Sequence, residues 1–360
     1  MPVRLAIIGL GAATRNIHLP AYRQLTGSVE VVAACEVDRA VAEEARRTLR
    51  LSSIYEDARR MLEAERPDMV SICTPPALHR EQTLLALEHG CHVFCEKPLA
   101  DSLEHADEII RAAEGAGRHV SVNTQFPQMN IYTAAKEVIG SPAFGRLLFL
   151  HAWQASRPFE AHPGGWRNGA QGKLCLEFGV HVFELVRFFF DAEPARLYCQ
   201  IQDAGNGAGS EALAIVSLQF DDGRAASIVL DRLAKGPERY LDIRLDGELG
   251  SVQTSIGGEA RFEFGLRTRD RRPFVGIHLV QGGKAVLHNG RGSKVLAKDG
   301  MNPFATATAA QLSRILHAIE NGVPPPSSAR DNRNTLALAL AAYESARSGT
   351  AVDMHRYRGF

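Results

Sequence analysis

From Val3 to about Asn123 the chain alternates short β-branched runs with helix-length stretches, and few folds accommodate that rhythm. The runs are Arg4–Ile8, Val29–Cys35, Met69–Thr74, His92–Cys95 and His119–Val122. Between them lie Asp38–Arg50, Asp57–Glu65, His79–His89 and Ser102–Ala116. In the last stretch Leu103, Ala106, Ile109, Ile110 and Ala113 mark one face of a 3.6-residue period, and Asp101 with Glu104 fits a variant of the helix capping box. Strands alternating with helices predict βαβ units and a parallel, doubly wound sheet.

After Asn123 the pattern changes. Arg146–Gln154, Arg196–Gln202, Leu213–Phe220, Ala225–Leu230 and Arg239–Leu245 read as strands, several joined by turn signals such as Asp221-Asp222-Gly223. Spacing this close favours antiparallel pairing, because parallel strands need long crossovers. A helix over about Glu177–Phe190 interrupts early, and Ala307–Glu320 and Arg333–Ser348 close the chain around Pro324-Pro325-Pro326. The stretch from Gly282 to Gly300, rich in Gly and Lys, reads as an exposed loop region. A chain of 360 residues exceeds what one core usually serves. The expected division is an α/β domain over 1–123 and a second domain over 124–360, whose last helix is free to pack back on the first.

Composition narrows the functional classes. Lys plus Arg and Asp plus Glu both total 41, a balance that argues against a nucleic-acid partner. No apolar run reaches the ~18 residues of a membrane span. The N-terminus enters a strand directly, without the regions of a secretory signal. Six cysteines, lacking paired C-x-x-C spacing, predict neither a disulfide framework nor a metal site, and a cytoplasmic location.

Three groups of residues could carry chemistry. The first strand runs into Gly9-Leu10-Gly11-Ala12-Ala13-Thr14, two glycines of the G-x-G-x-x-G/A fingerprint with Thr14 in the third place. Such glycines permit a tight turn and a close backbone approach to a pyrophosphate, although an ordinary strand-to-helix turn would also use them. Glu36 ends the second strand, 27 residues after Gly9. A carboxylate there accepts ribose hydroxyls and repels a 2′-phosphate, which favours NAD over NADP; nearby Arg39 pulls the other way. Thr74-Pro75-Pro76 and Glu96-Lys97-Pro98 end later strands and so border the ligand crevice. From position alone, the better reading of Lys97 is a surface lysine at a strand end. The third group is Glu177, His181 and Glu184, at i, i+4 and i+7 of a helix. A carboxylate beside an imidazole fixes its tautomer and favours its protonated form, as a general acid/base requires; a solvated polar stripe has the same spacing.

Taken together, Gly9-x-Gly11 with His18-Leu19-Pro20-Ala21, then Thr74-Pro75-Pro76 with His79, then Glu96-Lys97-Pro98, then Glu177-x-Gly179-x-His181-x-x-Glu184 resemble the Gfo/Idh/MocA oxidoreductases. The resemblance spans nearly the whole chain, and Glu-Lys-Pro is its most specific piece. It implies an N-terminal Rossmann domain and a C-terminal α/β domain on an open, mostly antiparallel sheet. It also implies a cis peptide before Pro98 and NAD(P)-dependent chemistry at a hydroxyl-bearing carbon of a sugar or polyol. Gly9, Gly11, Ala12, Ala13, Thr14, Glu36, Thr74, Pro75, His79, Glu96 and Lys97 would line the cofactor. Lys97 would also touch substrate, His181 would exchange the proton, and Glu177 would be the acid before it. Two departures stand out. Glu177 and Glu184 replace the family's aspartates, and Gly172-Lys173-Leu174 replaces three small residues.

Gln125, Arg157, His162, Trp166, Arg167 and Glu184 are candidate substrate contacts, because they flank the second-domain start and the histidine helix. An open sheet with an apolar face predicts a homodimer or homotetramer. Two other outcomes keep the same fold: glycosidic cleavage through transient oxidation by tightly held NAD, and a silent nucleotide- or sugar-binding regulator. Retention of both Lys97 and His181 argues against the regulator.

Overall fold

The structure is a computed structural model that describes residues 1–49, 53–155, 174–203, 211–234, 239–257, 259–266, 273–280 and 282–357. The first sheet contains β1 (Val3–Ile8), β2 (Val29–Cys35), β3 (Ile54–Tyr55), β4 (Met69–Ile72), β5 (His92–Cys95) and β6 (Val120–Val122). Their order is β3-β2-β1-β4-β5-β6, and every pairing is parallel. The crossovers are α1 (Leu19–Gln24), α2 (Arg39–Leu49), α3 (Ala58–Glu65), α4 (His79–Glu88) and α5 (Leu103–Ala116). Ser102 caps α5 by accepting the His105 N–H, one residue later than the Asp101 cap expected from the sequence, and Gly117 ends it in the left-handed conformation.

Alternation along β1 gives the sheet its two cores. Leu5 and Ile7 face one layer with Leu10, Leu19 and Phe94, while Ala6 and Ile8 face the other with Val70, Val93 and Ile109. The closing helices α8 (Pro303–Glu320) and α9 (Ala329–Ser348) contribute to opposite layers. Leu312 and Ile315 of α8 join the Leu5 side, whereas Ala329 and Leu336 of α9 join the Ala6 side. Polar contacts pin them there: Gln311 Nε2 donates to the Val122 carbonyl at 2.8 Å, and the Arg333 guanidinium pairs with Asp107 on α5.

The second sheet follows α6 (Asn130–Val138). Its members are β7 (Leu147–Ala155), β8 (Arg196–Asp203), β9 (Glu211–Gln219), β10 (Ala225–Asp231), β11 (Arg239–Gly247) and β12 (Gly250–Gly257), preceded in part by α7 (Val180–Phe190). A separate hairpin, β13 (Glu259–Leu266) with β14 (Pro273–Val280), comes next. Two more strands, β15 (Gly283–Asn289) and β16 (Gly292–Asp299), and the short β17 (Val352–Asp353) complete the sheet. The order is β16-β15-β12-β11-β7-β10-β9-β8-β17, antiparallel except where β7 meets β10. Helices cover one face, with Phe183, Val186, Phe189 and Phe190 of α7 packed on Leu150, Ala152, Val216 and Ile228.

Two sequence expectations require correction. Residues 283–299 form a hairpin, where Gly and Lys content had suggested loop. Ala285 and Leu287 point into the core, Lys284 and Lys298 pair on the opposite face, and Lys294 and Lys298 are exposed on β16, the sheet edge. Lysine on an edge strand discourages pairing with another chain, so its abundance there is compatible with strand. The helix expected over Glu177–Phe190 begins instead with a π-helical turn, Leu174–Gly179, and becomes α-helical at Val180. A Cβ on Gly179 would lie 3.0 Å from Leu230, so glycine lets this turn sit directly on the sheet. No described helix is long and apolar enough to cross a membrane.

Candidate active site

The strand order reverses between β1 and β4, and ligands of open α/β sheets bind outside the carboxyl ends of the strands at such a point. Gly9 ends β1 with φ +91°, and a Cβ on it would stand 2.9 Å from Thr74 and 3.0 Å from the Cys73 backbone. Glycine is therefore what allows the loops after β1 and β4 to touch. At Gly11 nothing lies within 4 Å of a Cβ position, and helix follows immediately through Ala12 and Ala13. Thr14 is fully buried, and its hydroxyl donates to the Gly9 carbonyl at 2.6 Å. The threonine in the third fingerprint place thus closes the loop from inside.

Glu36 reaches back to this loop. Its carboxylate accepts the Leu10 N–H at 2.8 Å and the Asp38 N–H at 3.0 Å, one on each oxygen. Each oxygen keeps a second lone pair for a hydroxyl. Arg39, which could have favoured a phosphate, is paired with Glu56. An open glycine backbone at a helix start and an acceptor-rich acid beside it are what a pyrophosphate and a ribose diol require. The residues fit NAD.

Two residues expected at the cofactor hold protein instead. The His79 ring is buried between the Pro98 carbonyl, 2.8 Å from Nδ1, and the Thr74 carbonyl, 2.9 Å from Nε2. It ties the Thr74-Pro75-Pro76 loop to the Glu-Lys-Pro loop, while the Thr74 hydroxyl donates to Gln82. Burial lowers the His79 pKa, opposed by the two carbonyls. Glu96 turns inward as well, its Oε1 lying 2.6 Å from His18 Nε2 and 2.8 Å from Asn123 Nδ2. These partners and the Lys97 charge outweigh burial and hold its carboxyl at about 2. The peptide between Lys97 and Pro98 is cis.

Lys97 goes the other way. Its Nζ donates to the backbone carbonyl of Glu177 at 2.7 Å, joining the end of β5 to the π-helical turn four residues before His181. Glu177, His181 and Glu184 are all buried, so they do not form a solvated stripe. The His181 ring stacks on Phe126, with centroids 4.2 Å apart and planes 8° from parallel, and Phe126 in turn stacks on Phe304. Burial and then the Lys97 charge depress His181 to about 3, so the ring is neutral around pH 7. Among the described residues no group hydrogen-bonds to its Nδ1. The carboxylate-oriented imidazole expected from spacing is therefore not what the structure shows.

Glu184 faces an ionic cluster away from the imidazole. Its Oε2 accepts from the Arg187 guanidinium at 3.2 Å and from the Thr335 hydroxyl, and Arg187 also pairs with Glu193 and Asp331. It fastens α7 to α9, a correction to its expected place against substrate. Gln125 is buried beside Phe126, and its Oε1 has no hydrogen-bond partner among the described residues. Arg157, His162, Trp166, Arg167 and Lys173 lie outside the described residues. The sequence quoted His18 without giving it a role, and it passed over Asn123 and Phe126. Asn123, at the carboxyl end of β6, could have been picked out by that position alone.

Comparison with known proteins agrees with this geometry. Residues 3–124 match the NAD-binding Rossmann fold of the Gfo/Idh/MocA oxidoreductases, and residues 132–253 match the Gfo/Idh/MocA C-terminal domain. The chain belongs to the Gfo/Idh/MocA oxidoreductase family. It is 29% identical over 368 residues to D-apiose dehydrogenase of Paraburkholderia graminis, covering 97% of this chain and 89% of that one. It is 33% identical over 263 residues to inositol 2-dehydrogenase of Pseudomonas savastanoi, covering 72% and 73%. In fold it is similar to an Agrobacterium radiobacter oxidoreductase crystallised with NAD+, L-tartaric acid and magnesium, with a TM-score of 0.81 at 21% identity over 99% of each chain.

The Gfo/Idh/MocA assignment and the site geometry make two expectations measurable. Glu36→Ala removes the anion that disfavours a 2′-phosphate, so NADPH binding should strengthen against NADH by about tenfold, roughly 1.4 kcal/mol, as read by cofactor fluorescence. An unchanged ratio would remove Glu36 from cofactor selection. The second concerns acid. A histidine depressed to about 3 in the fold binds a proton more readily when unfolded, so stability is lost as pH falls from 6.5 towards 3. The slope is about 1.4 kcal/mol per pH unit for one such group. Urea unfolding between pH 7 and 5 should show this decline, and His181→Gln should make it shallower by about that one-group slope, with His79 and His92, also depressed by burial, supplying a remaining slope of the same sign.

Proposed function

We propose that the chain moves a hydride between NAD and a hydroxyl-bearing carbon of a sugar, polyol or related compound, with residues 1–123 holding cofactor and 124–360 holding substrate. The observation that carries this reading is the 2.7 Å contact from Lys97 Nζ to the Glu177 carbonyl. It brings the lysine of the cofactor half to the turn that leads into His181. The names of relatives point to the same substrate class: D-apiose dehydrogenase, 1,5-anhydro-D-fructose reductase and inositol 2-dehydrogenase.

NAD, when bound, supplies the hydride acceptor or donor. Lys97 offers ammonium protons to the substrate oxygen and stabilises negative charge developing on it during oxidation. His181, kept neutral by burial and by Lys97, has the free lone pair needed to take the hydroxyl proton, and in reduction it returns that proton. Stacking between Phe126 and Phe304 fixes the plane of the ring. Glu177 holds the lysine through its backbone oxygen, so the longer side chain at this position does not alter that contact.

The uncovered face of the second sheet supports self-association. Phe149, Trp153, Tyr198 and Ile215 stand on it with relative exposures of 37%, 46%, 36% and 44%. Trp153, Val229 and Ile215 are in cross-strand register over β7, β10 and β9. A second copy laid on this face would form a homodimer, and pairing of dimers a homotetramer.

The reaction is tested by incubating the protein with NAD and sugars, polyols and glycosides. Net NADH formation is expected; sugar release without it would establish the glycosidic alternative. Lys97→Ala and His181→Ala should each lower turnover roughly a hundredfold or more while NADH still binds, the size usual for losing acid–base assistance. Near-parental activity in either would overturn the assignment. For the assembly, light scattering should give a multiple of 39.2 kDa, and Trp153→Glu should reduce it.

A further inference from the structure

The motif His18-Leu19-Pro20-Ala21 is not used by the mechanism above, yet it lies directly behind it. A π-helical turn over Thr14–His18 swings the imidazole beneath the carboxyl ends of β4 and β5, where it is fully buried. Its two nitrogens have different partners. Nε2 lies 2.6 Å from Glu96 Oε1, and Nδ1 lies 2.9 Å from the Tyr22 hydroxyl. The Tyr22 O–H donates onward to Ser71 Oγ at 2.6 Å, so its oxygen is left to accept from Nδ1. An imidazole that donates from both nitrogens is an imidazolium. The buried surroundings support the same state: desolvation opposes the charge, but Cys73, Tyr22 and Glu96 more than offset it and raise the His18 pKa well above its ordinary value.

The partner of this cation is the residue immediately before Lys97. Glu96 Oε1 also accepts from Asn123 Nδ2 at 2.8 Å, and Asn123 is in turn held by the Thr308 hydroxyl of α8. Glu96 Oε2 accepts the backbone N–H of Lys97 at 3.3 Å. A buried carboxylate one residue from an ammonium is a strong competitor for it, since charge-assisted hydrogen bonds are about twice as strong as neutral ones. The inward cation changes that competition. With the acid turned towards His18, Lys97 Nζ reaches the Glu177 carbonyl instead.

We infer that His18 is a positioning residue: its imidazolium holds the Glu96 carboxylate on the buried side and so directs the Lys97 ammonium across the crevice. The motif after the glycine loop and the Glu-Lys-Pro motif, 78 residues apart, are then two ends of one charge pair. The groups facing the pair are Tyr22 from α1, Cys73 after β4 and Asn123 after β6; those facing the lysine are Glu177 and His181.

The inference rests on the role of Lys97 given above, and the test separates the two. In the parent protein, ¹⁵N spectra of labelled histidine should show His18 protonated on both nitrogens at pH 7.5; a neutral ring would overturn the inference without any variant. In His18→Leu, the carboxylate is free to swing onto the lysine. Acetic anhydride at pH 8 should then modify Lys97 at least threefold more slowly relative to surface lysines, while NADH affinity stays within threefold. His18→Gln, which keeps a donor to Glu96, should restore most of the parental rate. Equal Lys97 labelling in parent and His18→Leu, or no recovery in His18→Gln, would refute a positioning role. Undiminished turnover by Lys97→Ala would instead refute the assignment of the lysine itself.

Discussion

One ammonium spans the two halves of the molecule. Lys97 leaves the end of a parallel strand in the cofactor half and donates to a backbone oxygen of the turn that opens the histidine helix. A charged donor on a neutral carbonyl contributes about 1.5–3 kcal/mol in such settings, modest beside the cores on either side. Its importance is geometric. It fixes the separation between an ammonium and a buried imidazole, the two groups on which the proposed hydride transfer relies. Two supports hold the lysine in place: the His79 ring between the Thr74 and Pro98 carbonyls, and the buried Glu96 immediately before it.

The first half of the fold was legible because its signals are local. Leu103 to Ala113 repeat with helical period, Gly9 must turn left-handed against Thr74, and Glu36 closes a strand where a parallel sheet places its ligands. Each follows from a residue and its near neighbours. The second half depended on pairing between strands distant in sequence. The Gly- and Lys-rich β15 and β16 are strands because Ala285 and Leu287 find a core, a fact that no window over 283–299 contains. Likewise β3 has two residues, too few for periodicity to register.

At the site, the sequence drew notice to Lys97 by its strand-end position and to His181 by helical spacing, but it did not reveal what surrounds them. The i, i+4, i+7 argument assumes an α-helix, and the π-helical turn before Val180 breaks that geometry at Glu177. Glu184 was grouped with the imidazole because both lie on α7, yet Arg187 three residues further draws its carboxylate to α9. Charge state was the least readable property. A histidine between two acids reads as protonated, whereas a histidine stacked on Phe126, buried and facing a lysine is neutral. Burial, which a linear sequence does not display, decided the sign.

Two buried histidines on the same crevice therefore end in opposite states for one reason. His18 and His181 are both desolvated, and desolvation alone would neutralise each. His18 faces Cys73, a phenol oxygen and a carboxylate held near 2, so the cation is retained. His181 faces an ammonium and an aromatic ring, so the proton is lost. Glu96 and Lys97, adjacent in sequence and opposed in charge, point to opposite sides of the backbone and set both outcomes. Such a dipeptide at a strand end polarises the crevice: carboxylate and imidazolium on one side, ammonium and neutral imidazole on the other. Exchanging the order of the two residues would keep the composition and reverse that field. The Glu-Lys order therefore carries chemical information in its own right.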